Sequence, residues 1–175
     1  MGTKFSTRIW VSVVGIASIF FGSKGYADTV ISVADFGLKP DTRENAVAYV
    51  QKAIEACRGK EPVTLVFPEG RYDFWPQYAH EKNYYETNTY DVFPKRLAML
   101  FEGFHNITVD GNGSQFVMHD RIQPITVENC DGVTLKNFSI DWDIPLTAQA
   151  RVIKVGSDFF EIEINVLESP YIIED

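Results

Sequence analysis

Asn106-Ile-Thr-Val109 is followed 26 residues later by the similar segment Gly132-Val-Thr-Leu135. A second pair, Gln115-Phe-Val117 and Asn137-Phe-Ser139, recurs with an offset of 22 residues. Both offsets are too long for a hairpin and are typical of one turn of a solenoid. In a solenoid, each coil buries its apolar face only against a neighbouring coil. The repeats therefore predict an all-β fold in which residues 107–109 stack in parallel over residues 133–135.

Short β-strand patterns follow Leu97 without an intervening helical pattern, at residues 99–101, 107–109, 115–118, 125–127, 133–135 and 138–140. An antiparallel sandwich also places strands roughly every 8 to 12 residues. Two features favour the solenoid over the sandwich. Asparagines recur at strand ends, where a turn side chain can stack in a ladder (Asn106, Asn129 and Asn137), and a helix precedes the repeats.

That helix is indicated by apolar residues at positions 46, 47, 50, 53, 54 and 57, which fall on one helical face. Gly59 follows the pattern, as glycine commonly does after a helix. Val63-Thr-Leu-Val-Phe67 is typical of a buried strand, and Pro68-Glu-Gly70 of its turn. We expect a helix over residues 43–56 that caps the N-terminal end of a solenoid.

Two further segments depart from the repeat pattern. Residues 71–90 are aromatic and polar with no sustained period, which predicts a long ordered loop. After Pro145, residues 148–155 and 159–166 flank Gly156-Ser-Asp158, which predicts a β-hairpin from an inserted module. The expected organisation is thus a leader at 1–27, β-helix coils at 28–146 and the start of the hairpin module at 147–175.

The leader has the composition of a secretory signal peptide. Lys4 and Arg8 precede an apolar run over residues 9–21, and Gly25-Tyr-Ala27 provides a small-x-small cleavage site. The apolar run has 13 residues, whereas a spanning helix needs roughly 20. We therefore expect cleavage after Ala27, export to the periplasm or medium, and no membrane association of the mature protein.

Net charge and cysteine content restrict the classes of ligand that the chain can bind. The formal net charge of -8 argues against nucleic acid, which requires a basic face, and leaves a neutral sugar polymer compatible. Cys57 and Cys130 occur in different contexts, so they do not form a zinc pattern. An oxidising compartment would permit a bond between them, but we expect two free buried thiols. No metal, cofactor or protein partner is predicted.

Ala34-Asp-Phe-Gly-Leu-Lys-Pro-Asp41, the helical segment, and Val63-Thr-Leu-Val-Phe-Pro-Glu-Gly-Arg-Tyr72 occur in the order found in pectin-lyase-like enzymes. The chain resembles those enzymes, which are right-handed parallel β-helices. A narrower resemblance, to α-1,3-galactosidases of glycoside hydrolase family 110, is carried by Arg71-Tyr-Asp-Phe-Trp-Pro76, Glu81-Lys-Asn-Tyr84, Phe101-Glu-Gly-Phe-His-Asn-Ile-Thr-Val-Asp-Gly-Asn-Gly113 and Phe138-Ser-Ile-Asp-Trp-Asp143.

The narrower resemblance implies an exported bacterial exo-glycosidase. Members of that family remove terminal α-1,3-linked galactose from glycans such as the blood group B determinant, with inversion and without a metal. It also implies that the catalytic acid and base lie downstream of Asp175, so that this fragment alone is inactive. Galactose-terminated glycans are then the expected ligands.

Asp141 and Asp143 are the two carboxylates that the sequence pattern itself suggests as site residues. Strand alternation places both on the face opposite Phe138, Ile140 and Trp142. They would lie about 6.6 Å apart along the strand, within the roughly 6.5 to 9.5 Å of an inverting acid–base pair. An ordinary turn at the strand end, next to Pro145 and with solvated charges, would have the same sequence pattern. We expect these carboxylates to contact sugar hydroxyls rather than to act as the catalytic acid and base.

Trp75 and Tyr84 are the aromatic candidates, because sugar C–H faces pack on such rings. The alternative is that these rings cover the side of the fold. His80, His105 and His119 lack metal-ligand spacing, so we expect loop or surface positions for all three. Asp110-Gly-Asn-Gly113 lacks the helices and closing Glu of a calcium loop.

The amino-acid sequence is also compatible with two other functions. A β-helix enzyme of the polygalacturonase or lyase type would act on acidic polymers, and a lyase would need a basic residue as proton acceptor. A non-catalytic β-helix could bind glycans as an adhesin, because one architecture hosts many functions.

Overall fold

The computed structural model describes residues 29–84, 94–167 and 169–171. In these ranges the chain is mostly β, with one 3-10 turn and one α-helix. The elements in chain order are β1 Thr29–Ser32, the 3-10 turn Val33–Phe36, α1 Val47–Cys57, β2 Val63–Val66, β3 Arg71–Phe74, β4 His80–Lys82, β5 Lys95–Glu102, β6 His105–Met118, β7 Gln123–Glu128, β8 Asp131–Trp142, β9 Ala150–Val155 and β10 Phe160–Ile164.

The larger sheet is parallel. Strand β6 pairs with β8 along its length, with β2 through its first half and with β3 through its second half, and β1 pairs with β2. Ile107 pairs with Val133 and Val109 with Leu135, which confirms the predicted parallel stacking and the offset of 26 residues. The all-β fold class is confirmed as well.

The second predicted offset is wrong. Gln115 pairs with Ser139, an offset of 24 residues rather than 22. The register shifts between Asp110 and Ser114, where residues 111–113 lie opposite Asn137 alone. Asn137 adopts a φ of 60°, in the left-handed region that asparagine tolerates. Residues in such irregular turns are not visible as a period in the sequence.

The expectation of one long loop over residues 71–90 is also wrong in part. Residues Arg71–Phe74 form β3, which is parallel to residues 115–118 of β6. His80–Lys82 form β4, which is antiparallel to β5, and β5 in turn is parallel to β7. Tyr85 and Tyr90, which belong to the same prediction, lie outside the described residues.

Helix α1 forms as the apolar pattern predicts, although it begins at Val47 rather than at residue 43. Its buried face consists of Val47, Val50, Ala53, Ile54 and Cys57. The helix packs on β1, β2, β5 and the 3-10 turn. Gly59 follows it with a φ of +70°, a conformation that glycine adopts without steric cost.

Aromatic rings fill the core between the stacked strands. The Phe116 ring centroid lies 4.8 Å from that of Phe67 and 4.7 Å from that of Phe138, and the rings of Phe116 and Phe138 are nearly parallel. Tyr72 and Phe74 meet Phe116 edge-on. These contacts place the alternate residues of β3, β6 and β8 on the core side, so the residues between them are available for other contacts.

The predicted hairpin is confirmed as an antiparallel pair, β9 with β10, joined through Gly156. Cys57 and Cys130 are free, as expected; Cys57 is buried, whereas Cys130 is only half-buried. Burial raises the pKa of the Cys57 thiol to about 11. Residues 1–27, the predicted leader, lie outside the described residues. Within the described ranges, no helix has the length and apolar character to cross a bilayer.

Candidate functional site

The side chains of the candidate site come from matching ends of β3, β6 and β8. The main-chain pairing continues past the strands, because His119 N donates to Phe74 O at 2.9 Å and Asp143 N donates to Met118 O at 3.0 Å. Trp75, His119 and Asp143 therefore occupy equivalent positions on three adjacent strands. They alternate with core residues such as Phe74 and Met118, so they share the opposite face.

Asp73 is the centre of a polar cluster on that face. Its carboxylate accepts hydrogen bonds from Arg71 Nε at 3.0 Å and from Arg71 Nη2 at 2.6 Å, and His119 Nε2 lies 2.8 Å from its Oδ1. Arg71 Nη2 also donates to Asp143 Oδ1 at 3.1 Å. We call Arg71, Asp73, Trp75, His119 and Asp143 the Asp73 cluster.

Burial differs sharply across the Asp73 cluster. The Asp73 side chain is fully buried, those of Arg71 and His119 are 23% and 14% exposed, and that of Asp143 is 41% exposed. Asp73 therefore holds Arg71 and His119 in place from the buried side of the cluster. Asp143 is the carboxylate of the cluster that a ligand can reach.

The ion pairs set the charge state of the cluster. Burial alone would raise the pKa of the Asp73 carboxyl, but hydrogen bonds with Arg71 and His119 hold that pKa below its usual value. The hydrogen bond to Asp73 in turn raises the pKa of Arg71, against the opposing effect of burial. Asp73 is thus an anion at neutral pH, held by charge-assisted hydrogen bonds.

Trp75 packs its indole on the His119 imidazole. The two ring centroids are 3.8 Å apart and the planes differ by 7°. One indole face is therefore covered by protein, and a sugar could pack only on the other. The stack also fixes the imidazole ring, whose Nδ1 lies 3.8 Å from Asp143 Oδ2.

The structure brings Trp75 and Asp143 together and places Asp141 beside them. Asp141 is exposed, and its Oδ1 accepts a hydrogen bond from the Trp142 main-chain N–H at 2.8 Å. The expected alternation holds, since Phe138 and Trp142 pack against the core. Asp141 forms no ion pair within the described residues, so only Asp143 belongs to the Asp73 cluster.

Tyr84 lies in a different group of side chains. Lys82 Nζ contacts Glu128 Oε2 at 2.7 Å and Glu102 Oε1 at 3.0 Å, and the Tyr84 hydroxyl donates to Glu128. Lys82 and then Tyr84 lower the pKa of Glu128, while hydrogen bonding to Glu128 raises the pKa of Tyr84. The Tyr84 hydroxyl is thus occupied by a side-chain partner and ties the segment after β4 to β7.

His119 lies at a loop position directly after β6, but its side chain is mostly buried between Asp73 and Trp75. The side chains of His80 and His105 are exposed, as expected. The sequence prediction of a loop over residues 71–90 does not identify Arg71 and Asp73. Their alternation with Tyr72 and Phe74 is the pattern of a strand with one buried face, but it extends over only four residues. No group of three metal-ligating side chains occurs in the described parts of the chain.

No protein-family model matches the chain. Among curated proteins, the chain is 60% identical over 149 residues to α-1,3-galactosidase B of Bacteroides thetaiotaomicron, which covers 85% of this chain and 24% of that protein. It is 38% identical over 136 residues to α-1,3-galactosidase A of Shewanella woodyi, covering 78% and 22%. Identity to α-1,3-galactosidase B of Phocaeicola vulgatus is 35% over 159 residues, covering 89% and 25%.

These relatives place the chain, with its parallel sheets, among homologues of glycosidases. Within that class it is a homologue of the α-1,3-galactosidases, which confirms the resemblance found in the sequence. The chain spans about a quarter of the length of these relatives.

Proposed function

We propose that this chain is part of an exo-acting α-1,3-galactosidase that releases terminal α-1,3-linked galactose from glycans, blood group B structures included, with inversion of configuration. The observation that carries the proposal is the 60% identity over 149 residues to a protein named α-1,3-galactosidase B. The matched residues make up 85% of the chain.

The proposal includes the architecture. We take the parallel sheets as coils of a right-handed parallel β-helix that α1 caps. Support comes from the stacking of β2, β6 and β8 in one parallel ladder, from β3 beside the same β6, and from the parallel pair of β5 and β7. Successive strands of such a ladder present equivalent side chains in a row, so a site is assembled from several coils.

Asp143 is the residue to which we assign a direct contact with sugar. Its carboxylate is 41% exposed and is oriented by Arg71 from one side, so it presents an acceptor in fixed geometry. Ligand hydroxyls that bond to a charged carboxylate gain more than those bonding to a neutral group. Trp75 supplies the indole face that does not stack on His119, and Asp141 supplies a second carboxylate.

We place the catalytic acid and base outside these residues. Inversion requires two carboxyl groups that flank the scissile bond, roughly 6.5 to 9.5 Å apart, with room for a water. In the Asp73 cluster, Asp73 is buried and Asp143 is paired with Arg71, so neither serves readily as a proton donor. We further propose that residues 1–27 export the protein to the periplasm or medium.

The test is hydrolysis of an α-1,3-linked galactose disaccharide by the intact protein. We expect turnover of the disaccharide and none of galacturonan; the opposite result would favour a polygalacturonase or lyase. Asp143→Asn should raise KM about tenfold, equivalent to about 1.4 kcal/mol, because a contact made in both ground and transition states is lost. Asp158→Asn, in the exposed hairpin turn, should leave both KM and kcat unchanged.

A further inference from the structure

A groove adjoins the Asp73 cluster and has no role in the site described above. Its volume is about 730 Å³, within the range of ligand sites, roughly 300 to 1,000 Å³. The lining includes Pro76, Asp120 and Trp142, which are the immediate sequence neighbours of Trp75, His119 and Asp143. We call this space the Trp142 groove.

Trp142 provides a flat apolar surface that is held in place. Its indole Nε1 donates to Asp120 O at 3.2 Å, across neighbouring strands, and its ring packs against the core. Pro124 and Leu146 add apolar surface to the same groove. A rigid aromatic ring bordered by such groups suits the C–H face of a pyranose, because ordering the ring costs no further entropy on binding.

Asp120, Arg121 and Gln123 carry hydrogen-bonding groups in the Trp142 groove that no described residue uses. The guanidinium of Arg121 and the carboxylate of Asp120 form no hydrogen bond or ion pair with any described residue, and Arg121 is exposed. Gln123 donates through Nε2 to Thr126 Oγ1 at 2.8 Å, but its Oε1 is buried without a partner. Such an orphaned acceptor is uncommon and calls for an explanation.

We propose that the Trp142 groove binds a pyranose unit of a glycan, next to the sugar contact that we assign to Asp143. The proposal takes its ligand class from the proposed function. Asp120 accepts from one hydroxyl, Arg121 donates to another, and Gln123 turns its amide oxygen toward a third.

The experiment is calorimetric titration of the intact protein with a neutral β-galactose-terminated tetrasaccharide, which an α-galactosidase does not cleave. Arg121→Ala should weaken binding at least fivefold. This side chain is exposed and unpaired among the described residues, so its removal should leave the melting temperature unchanged. Trp142→Ala should weaken binding further. The matched controls, Arg151→Ala and Phe160→Ala on the exposed hairpin, should bind like the wild type.

Wild-type affinity in both groove variants would overturn the proposal. Hydrolysis of the α-1,3-linked disaccharide by the wild type is scored separately. Glycan binding that depends on Arg121, without hydrolysis, would refute the proposed hydrolase activity and support the proposed glycan site in the groove. Hydrolysis together with glycan binding that does not depend on Arg121 would support the hydrolase activity and refute the glycan site.

Discussion

Asp73 determines the geometry of the polar cluster, although it is the member that a ligand cannot reach. A fully buried carboxylate is tolerated only when it is paired and hydrogen-bonded. Asp73 has both Arg71 and His119 as partners, and the planar fork of Arg71 meets it through two nitrogens. The same arginine then reaches Asp143, so the orientation of the exposed carboxylate depends on the buried one.

Replacing Asp73 with Asn should destabilise the protein by about 3 kcal/mol, because breaking a buried pair leaves the remaining charge uncompensated. The pKa of Asp73 is lower in the folded state than its unfolded value of about 3.9. Its stabilising contribution is therefore complete above the unfolded pKa and is lost as pH falls through the folded pKa.

Chemical denaturation at pH 7 and at pH 3 measures this effect. The difference in unfolding free energy between wild type and Asp73→Asn should shrink at the lower pH. Asp158→Asn, at an exposed position, serves as the control. A difference that stays constant with pH would contradict the assignment of Asp73 as a buried anion.

Part of the candidate site could be predicted from local sequence. Asp141 and Asp143 were visible because alternating residues on one strand share a face, and Trp75 because an aromatic ring next to a polar run is conspicuous. The partnership of Asp73 with His119 could not be predicted, because it joins residues 46 positions apart. Such contacts depend on the register of β3 on β6, which the sequence pattern did not reveal.

The turns between strands are controlled by a few residues with left-handed backbone conformation. Gly103 lies in the turn between β5 and β6, and Gly132 is the second residue of β8; their φ angles are +70° and +71°. A Cβ on Gly103 would meet nothing within 4 Å, whereas a Cβ on Gly132 would lie 2.5 Å from Asn106 Oδ1. Asn106 sits at the start of β6, so this close approach is part of the stacking of β8 on β6.

Gly103→Ala and Gly132→Ala form a matched pair. Both substitutions carry the cost of a left-handed alanine, about 1 to 2 kcal/mol. Gly132→Ala must also displace Asn106, so we expect it to cost roughly twice as much as Gly103→Ala. Urea denaturation of the two variants gives the comparison. Equal losses would mean that the close contact between Gly132 and Asn106 is not required for stacking.

Elements with a sustained period were predicted well, and irregular ones were not. The 26-residue offset, the apolar face of α1 and the hairpin of β9 and β10 all follow from patterns of several residues. The shift from 26 to 24 arises from three residues opposite one, which leaves no periodic trace. Strand β3 was missed because its four residues are too few to establish alternation among so many aromatic neighbours.

At the scale of the molecule, apolar surface is concentrated where the described strands stop pairing. Strand β8 pairs with β6 and with no other described strand, and its Leu135 and Ile140 side chains are 40% and 38% exposed. The hairpin β9–β10 also exposes apolar side chains, among them Val152, Phe160 and Ile162. In a stacked fold such surface is covered by the next unit.

We expect residues 28–175 of this chain, produced alone, to hydrolyse no α-galactoside. The relatives named α-1,3-galactosidase are about four times as long as the matched segment, and an inverting site needs two carboxylates on opposite sides of the bond. Asp141 and Asp143 are an exposed acidic pair at the end of β8, and Asp143 is held by Arg71. An uncovered strand edge on β8 should also promote association between copies.

The measurement is release of galactose from the α-1,3-linked disaccharide by the isolated segment and by the intact protein, with size-exclusion chromatography of both. Activity in the intact protein alone, with aggregation of the segment, is the expected result. Turnover by the segment that is abolished by Asp141→Asn or Asp143→Asn would show the opposite. These two carboxylates would then be the acid and base, and the role of Asp143 as a simple sugar contact would have to be given up.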